Sequence, residues 1–119
     1  MKQYKITENN ITYEIIELIG NKFYYLNKLL HREYGPAVEY DNGEKHWYKN
    51  GKRHRENGPA CEYASGDKIW CKNGKWHRED GPAVEWVNGR KEYWYNDKQI
   101  KNIYSNQEFI RYVKLLSIS

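Results

Sequence analysis

The string His31-Arg32-Glu33-Tyr34-Gly35-Pro36-Ala37 returns as His54-Arg55-Glu56-Asn57-Gly58-Pro59-Ala60 and again as His77-Arg78-Glu79-Asp80-Gly81-Pro82-Ala83, a period of 23 residues. A unit this short cannot bury its own apolar face, so the copies must stack and the two ends must be capped. The match continues through Glu39, Glu62 and Glu85, a turn glycine at Gly43, Gly66 and Gly89, an aromatic at Trp47, Trp70 and Tyr93, and Asn50, Asn73 and Asn96. Asp97 and Ile100 break the third copy, and one period earlier Gly20, Tyr24, Tyr25 and Asn27 form a degenerate one. The organisation is a single domain, 1–119, with N-terminal strands and the degenerate copy at 1–30, repeats at 31–53, 54–76 and 77–100, and a helix at 104–117.

Each copy reads as β. Asn42-Gly43, Ser65-Gly66 and Asn88-Gly89 are two-residue hairpin signals, as are Asn50-Gly51 and Asn73-Gly74, because a type I′ turn needs positive φ at both central residues. Two turns per period give two strands per period. The expected fold is all-β, a single twisted antiparallel meander or solenoid of hairpins with a C-terminal helical cap. Ser105-Asn106-Gln107-Glu108 has the spacing of a capping box, and Phe109, Tyr112, Val113 and Leu116 follow at helical intervals. Leu, Ile, Val and Phe number only 22 of 119 residues, but net charge is +4 and 12 Tyr and 5 Trp supply the missing bulk, which argues for an aromatic core rather than disorder.

Taken as two-residue turns, these signals set a register in which Val38 lies opposite Trp47 and Cys61 opposite Trp70. One face then carries Val38, Tyr40, Trp47, His54, Cys61, Tyr63, Trp70 and His77, and is the expected core. The other carries Tyr48, Arg53, Arg55, Cys71, Trp76, Arg78 and Trp94. This register puts Cys61 and Cys71 on opposite faces, so they are expected to remain free thiols.

The string Trp47-Tyr48-Lys49-Asn50-Gly51-Lys52-Arg53-His54, repeated as Trp70-Cys71-Lys72-Asn73-Gly74-Lys75-Trp76-His77, resembles the MORN repeat, a hairpin unit of the same 23-residue period. The resemblance covers roughly residues 20 to 100 and implies the hairpin-repeat fold. His-Arg-Glu-x-Gly-Pro-Ala stands where the usual unit has H-G-x-G, and is similar to a branch seen in phage and large-virus proteins. The resemblance implies scaffold, lipid-associated or antitoxin-like roles, and its viral branch adds inhibition of a host defence protein in the host cytoplasm. Arginine in place of glycine weakens the transfer of membrane binding.

His31, His54 and His77 are too far apart to share a metal, since two strands per period separate them by about 9 to 10 Å. They are expected to pack and hydrogen-bond locally, and no metal or other cofactor is expected. Arg32, Arg55 and Arg78 form a row with Glu39, Glu62 and Glu85, either an ion-pair ladder or an anion or nucleotide site. Residues 31–100 hold 13 Lys and Arg against 12 Asp and Glu, which argues against nucleic acid. No apolar run approaches the roughly 20 residues that span a bilayer, and no signal peptide opens the chain, which argues against membranes and for a cytoplasmic protein. The expected function is a non-enzymatic protein-binding module with Trp76, Trp94, Tyr48, Arg53, Arg55 and Arg78 as contacts, since aromatic and Arg side chains dominate hot spots. An antitoxin or immunity-type binder and anion capture by the Arg row are the alternatives, and self-association stays open.

Overall fold

The computed structural model describes residues 1–118. Strands β1 (Lys2–Glu8) and β2 (Ile11–Leu18) form the longest hairpin, turned by Asn9 and Asn10, both at positive φ. Next come β3 (Asn21–Leu26) and β4 (Leu29–Leu30), and then the repeats, built from two-residue strands. These are β5 (Val38–Glu39), β6 (Lys45–His46), β7 (Tyr48–Lys49), β8 (Lys52–Arg53), β9 (Cys61–Glu62), β10 (Lys68–Ile69), β11 (Cys71–Lys72), β12 (Lys75–Trp76) and β13 (Val84–Glu85). Strands β14 (Lys91–Tyr95) and β15 (Lys98–Ile100) and helix α1 (Asn106–Ser117) close the chain. The fold is mainly β and antiparallel, with one helix and no closed barrel.

Each period makes two hairpins, and they occupy two rows. The first row is one continuous ladder in the order β1-β2-β3-β5-β6-β9-β10-β13-β14-β15. The second row consists of the short hairpins β7–β8 and β11–β12, flanked by β3–β4 and β14–β15. These neighbours are stitched together once per period, by Gly51 N–H donating to the Leu30 carbonyl, Gly74 to Arg53 and Asp97 to Trp76, each at 2.9 Å. At Trp47 and Trp70 the strand leaves the first row for the second: Trp47 N–H donates back to Ala60 (2.8 Å) while its carbonyl accepts from His54 (3.0 Å). The bend encloses an interior to which Cys61, Ile69 and Val84 come from the first row and Cys71 from the second. A second cluster, Tyr13, Ile15, Tyr24 and Ala37, fills the N-terminal end.

Asn50-Gly51 and Asn73-Gly74 are two-residue turns as the sequence predicts, with both residues at positive φ and Lys49 opposite Lys52. The turns at Gly43, Gly66 and Gly89 are not. Tyr40 N–H donates to Glu44 and Gly43 N–H to Tyr40, so the loop holds three residues and only its glycine has positive φ. Asn42 Oδ1 accepts from Glu44 N–H at 2.9 Å, which fixes this longer turn, and Asn88 does the same for Arg90.

The extra residue shifts the register by one. Val38 lies opposite His46 rather than Trp47, and Cys61 opposite Ile69 rather than Trp70. Two sequence expectations fall with it. Cys61 and Cys71 share one buried cluster instead of lying on opposite faces. Trp76 and Trp94, expected on the open face, pack half-buried against that same cluster, 4.9 Å apart and edge to face.

The helix caps the open end of the ladder. Ser105 accepts from Glu108 N–H at 3.1 Å, while the Glu108 carboxylate reaches back to Tyr104 N–H rather than to Ser105. Phe109 is its one fully buried side chain and sits 4.8 Å from Tyr93. No helix among the described residues is long and apolar enough to cross a membrane.

Candidate binding surface

The His-Arg-Glu-x-Gly-Pro loops lie side by side along one edge of the molecule, and each of their residues has one task. The Nδ1 atoms of His31, His54 and His77 accept the backbone N–H of Asn50, Asn73 and Asn96 at 2.9, 3.0 and 3.0 Å. Each imidazole thus holds the type I′ turn of the following hairpin. With Nδ1 accepting, the proton of the neutral ring sits on Nε2, which faces Glu33, Glu56 and Glu79 at 3.1, 2.6 and 3.3 Å. Hydrogen bonds from His31 and His54 hold the carboxyls of Glu33 and Glu56 below the usual carboxylate range. Lys49 and Lys72 complete these two sets at 3.3 and 3.8 Å from the carboxylates.

The arginines stack backward onto the preceding aromatic. Arg32, Arg55 and Arg78 place their guanidinium carbons 3.9, 3.8 and 4.1 Å from the ring centres of Tyr24, Trp47 and Trp70. In each, Nη1 donates to the carbonyl of Pro36, Pro59 or Pro82 at 3.2, 3.0 and 3.0 Å. A methyl group added at Gly35, Gly58 or Gly81 would stand 3.0, 2.9 or 3.0 Å from the same guanidinium carbons. That contact explains why the motif carries glycine there.

What differs between copies is the other edge of the guanidinium. Nε and Nη2 of Arg32 grip both oxygens of Glu8 at 3.0 and 2.7 Å, with Glu39 on Nη1 at 2.9 Å. Nε of Arg78 holds Asp80 at 2.9 Å. In the middle copy Asn57 stands where the third has Asp80, and Nε and Nη2 of Arg55 have no partner among the described residues. Two consecutive grooves of about 380 and 470 Å³ meet at Arg55, Glu56 and Asn57. The first is walled by Arg32, Tyr34, Trp47 and Lys49, the second by Trp70, Lys72, His77 and Arg78.

Of the contact residues expected from sequence, Arg55 and Arg78 lie on this surface. Tyr48 packs half-buried against the N-terminal cluster, Arg53 stands 5.5 Å from its ring, and Trp76 and Trp94 belong to the core. Glu8 and Asn57 escaped the sequence reading, although position-by-position comparison of the copies marks Asn57 against Asp80. The three motif histidines do not converge, and among the described residues no three His, Cys, Asp or Glu groups are placed to hold a metal.

The two rows, the period and the cap define a β-hairpin repeat protein. Comparison with protein-family profiles, with characterised proteins and with solved structures finds no match.

Proposed function

We propose that the chain is a non-enzymatic protein-interaction module whose contact surface is the groove pair centred on Arg55, and that its partner offers a carboxylate to that residue. The observation that carries this reading is the open Nε and Nη2 edge of Arg55, between two copies whose arginines hold Glu8 and Asp80 there. The protein supplies its own example of the contact: a bidentate carboxylate is what the Arg32 fork binds. The neutral charge balance around the grooves suits a shaped polypeptide surface better than a free anion. Capture of a small anion or nucleotide by the Arg row is the weaker reading, because two of its three members already carry carboxylates. The resemblance to phage and large-virus MORN-like repeats adds that the partner is a host defence protein.

Asn57→Asp tests the proposal without touching the core. It puts at Arg55 the carboxylate that Asp80 gives Arg78, so affinity purification from the source cell should lose, with this variant, the partner retained by wild type, while the melting temperature holds. A partner kept equally by both proteins overturns the assignment.

A further inference from the structure

Four positions in the middle of the chain break the repeat, and in space they meet. One period before and after His46 stand Phe23 and Ile69; around Arg53, Leu30 and Trp76; around Cys61, Val38 and Val84; around Cys71, Tyr48 and Trp94. At all four places the adjacent copies use apolar or aromatic side chains. A scaffold gives no reason to exchange these for two thiols, an imidazole and a guanidinium at one point.

The pairing brings them together. His46 lies directly opposite Cys61 across β6 and β9, and Cys61 lies opposite Ile69, which makes Cys71, two residues further on, its diagonal neighbour. Both cysteines are 2% exposed, and their thiols hydrogen-bond to each other. His46 bonds the Cys61 thiol as well, and its Nε2 is 2.8 Å from Glu44. Arg53, the exposed member of the set, reaches Nδ1 of His46 at 3.4 Å.

The hydrogen bond from Cys71 pulls the Cys61 thiol down to about 5, against its burial and with help from His46 and Arg53. The same bond, then burial, pushes the Cys71 thiol up. Burial depresses His46, but its bonds to Cys61 and Glu44 outweigh this and raise it. Tyr48, Tyr63 and Asp97 are the other ionisable groups facing the pair. One proton is therefore shared at neutral pH, with a thiolate at Cys61 and a thiol at Cys71.

We propose that Cys61 and Cys71 form a hydroperoxide-reactive dithiol, in which Cys61 attacks and Cys71 resolves to close a disulfide inside the repeat core. Sγ of Cys61 attacks one peroxide oxygen: an S–O bond forms, the O–O bond breaks, and the departing hydroxide takes a proton to become water. Cys61 is oxidised by two electrons to a sulfenic acid and the peroxide is reduced. Sγ of Cys71 then attacks Sγ of Cys61, an S–S bond replaces the S–O bond, and the released hydroxide leaves as water with the proton from Cys71. Two thiols and one hydrogen peroxide become one disulfide and two waters. Reduction by a dithiol restores the pair.

The test treats the full-length folded protein with stoichiometric hydrogen peroxide in the presence of dimedone. Wild type should lose two hydrogens in mass, gain no dimedone adduct, and yield a peptide pair joined through Cys61 and Cys71, separable after cleavage at Lys68. Cys71→Ser should carry a dimedone adduct on Cys61, and Cys61→Ser should react at least tenfold more slowly than wild type. Arg53→Gln should slow the reaction at about pH 6 and leave it unchanged at about pH 9, where Cys61 ionises without help. Oxidation of Cys61→Ser at the wild-type rate overturns the proposal. So does a folded wild type that stays reduced while urea-unfolded chain reacts, a measurement that needs no variant.

Discussion

The guanidinium of Arg55 lies 3.8 Å from the ring centre of Trp47, and one period later Arg78 repeats the contact with Trp70 at 4.1 Å. Each motif is therefore a joint between copies: Arg reaches back to the previous aromatic while His reaches forward to the next turn. Short strands in the second row share only a few ladder bonds per period, so side chains supply much of what holds successive copies in register.

Gly81 is the place to break one joint cleanly, since its φ is not positive and only its missing Cβ matters, 3.0 Å from the Arg78 guanidinium carbon. Gly81→Ala should push Arg78 off Trp70 and cost about 1 to 3 kcal/mol in urea unfolding, the range for inserting a methyl into packed space. In an Arg78→Ala background most of that cost should vanish, because the clashing group is gone. Equal costs in both backgrounds would place the effect in the backbone.

His54 makes a second joint that can be tested atom by atom. Its Nδ1 accepts from Asn73 N–H at 3.0 Å, and the residue is 9% exposed. His54→Phe fills the space but leaves that buried donor unpaired, so stability should fall by about 1 to 3 kcal/mol. Hydrogen exchange at the Asn73 amide should speed up while that of Asn50, held by His31, does not. Unchanged protection at Asn73 counts against the role given to the imidazole.

Acid should loosen the N-terminal end first. The Arg32 hydrogen bonds hold the Glu8 carboxyl below its ordinary value, an effect that outweighs partial burial. A depressed carboxyl contributes stability that is complete above the unfolded-chain value of about 4.3 and is lost as pH falls through the lower folded-state value. Wild type should lose stability over that acid range with a steeper slope than Glu8→Gln, in urea midpoints measured against pH. Parallel curves would mean that the pair has no linkage to folding.

The period, the two strands per copy and the helical cap were legible because each leaves a local mark: a returning string, a positive-φ turn pair, a Ser three residues before Glu. The register was not, because Asn42-Gly43 and Asn50-Gly51 are the same dipeptide in different turns. What separates them is a hydrogen bond from the Asn42 side chain to Glu44 N–H, and the dipeptide does not encode it. One residue of slip exchanged the faces, hid Cys61 beside Cys71 and put Trp76 and Trp94 on the wrong side. Arg55 stayed correct because its place in the motif loop does not depend on that register. Glu8 was out of reach for another reason, since its partner Arg32 lies 24 residues away and outside the repeat frame.

Trp76 and Trp94 offer the sharpest check of the face assignment. Their rings meet edge to face at 4.9 Å, both pack on the cluster of Ala60, Cys61, Ile69, Cys71 and Val84, and the Trp94 indole N–H donates to Glu92 at 3.0 Å. Trp47 and Trp70 lie outside that cluster, at the strand bend and beneath an arginine. Trp76→Ala and Trp94→Ala should each cost about 3 kcal/mol, the low end for removing a core aromatic because both are only half-buried. Trp47→Ala and Trp70→Ala remove a cation–π stack and should cost nearer 1 to 2 kcal/mol. The double variant of Trp76 and Trp94 should lose less than the sum of the single costs, by about 0.5 to 1.5 kcal/mol, because the first truncation already forfeits the ring-to-ring contact. Melting curves of the four single variants fix the order. If the Trp76 and Trp94 variants melt with wild type while the other two unfold, the interior lies on the arginine-stacked side and the one-residue shift at Gly43 and Gly66 is wrong.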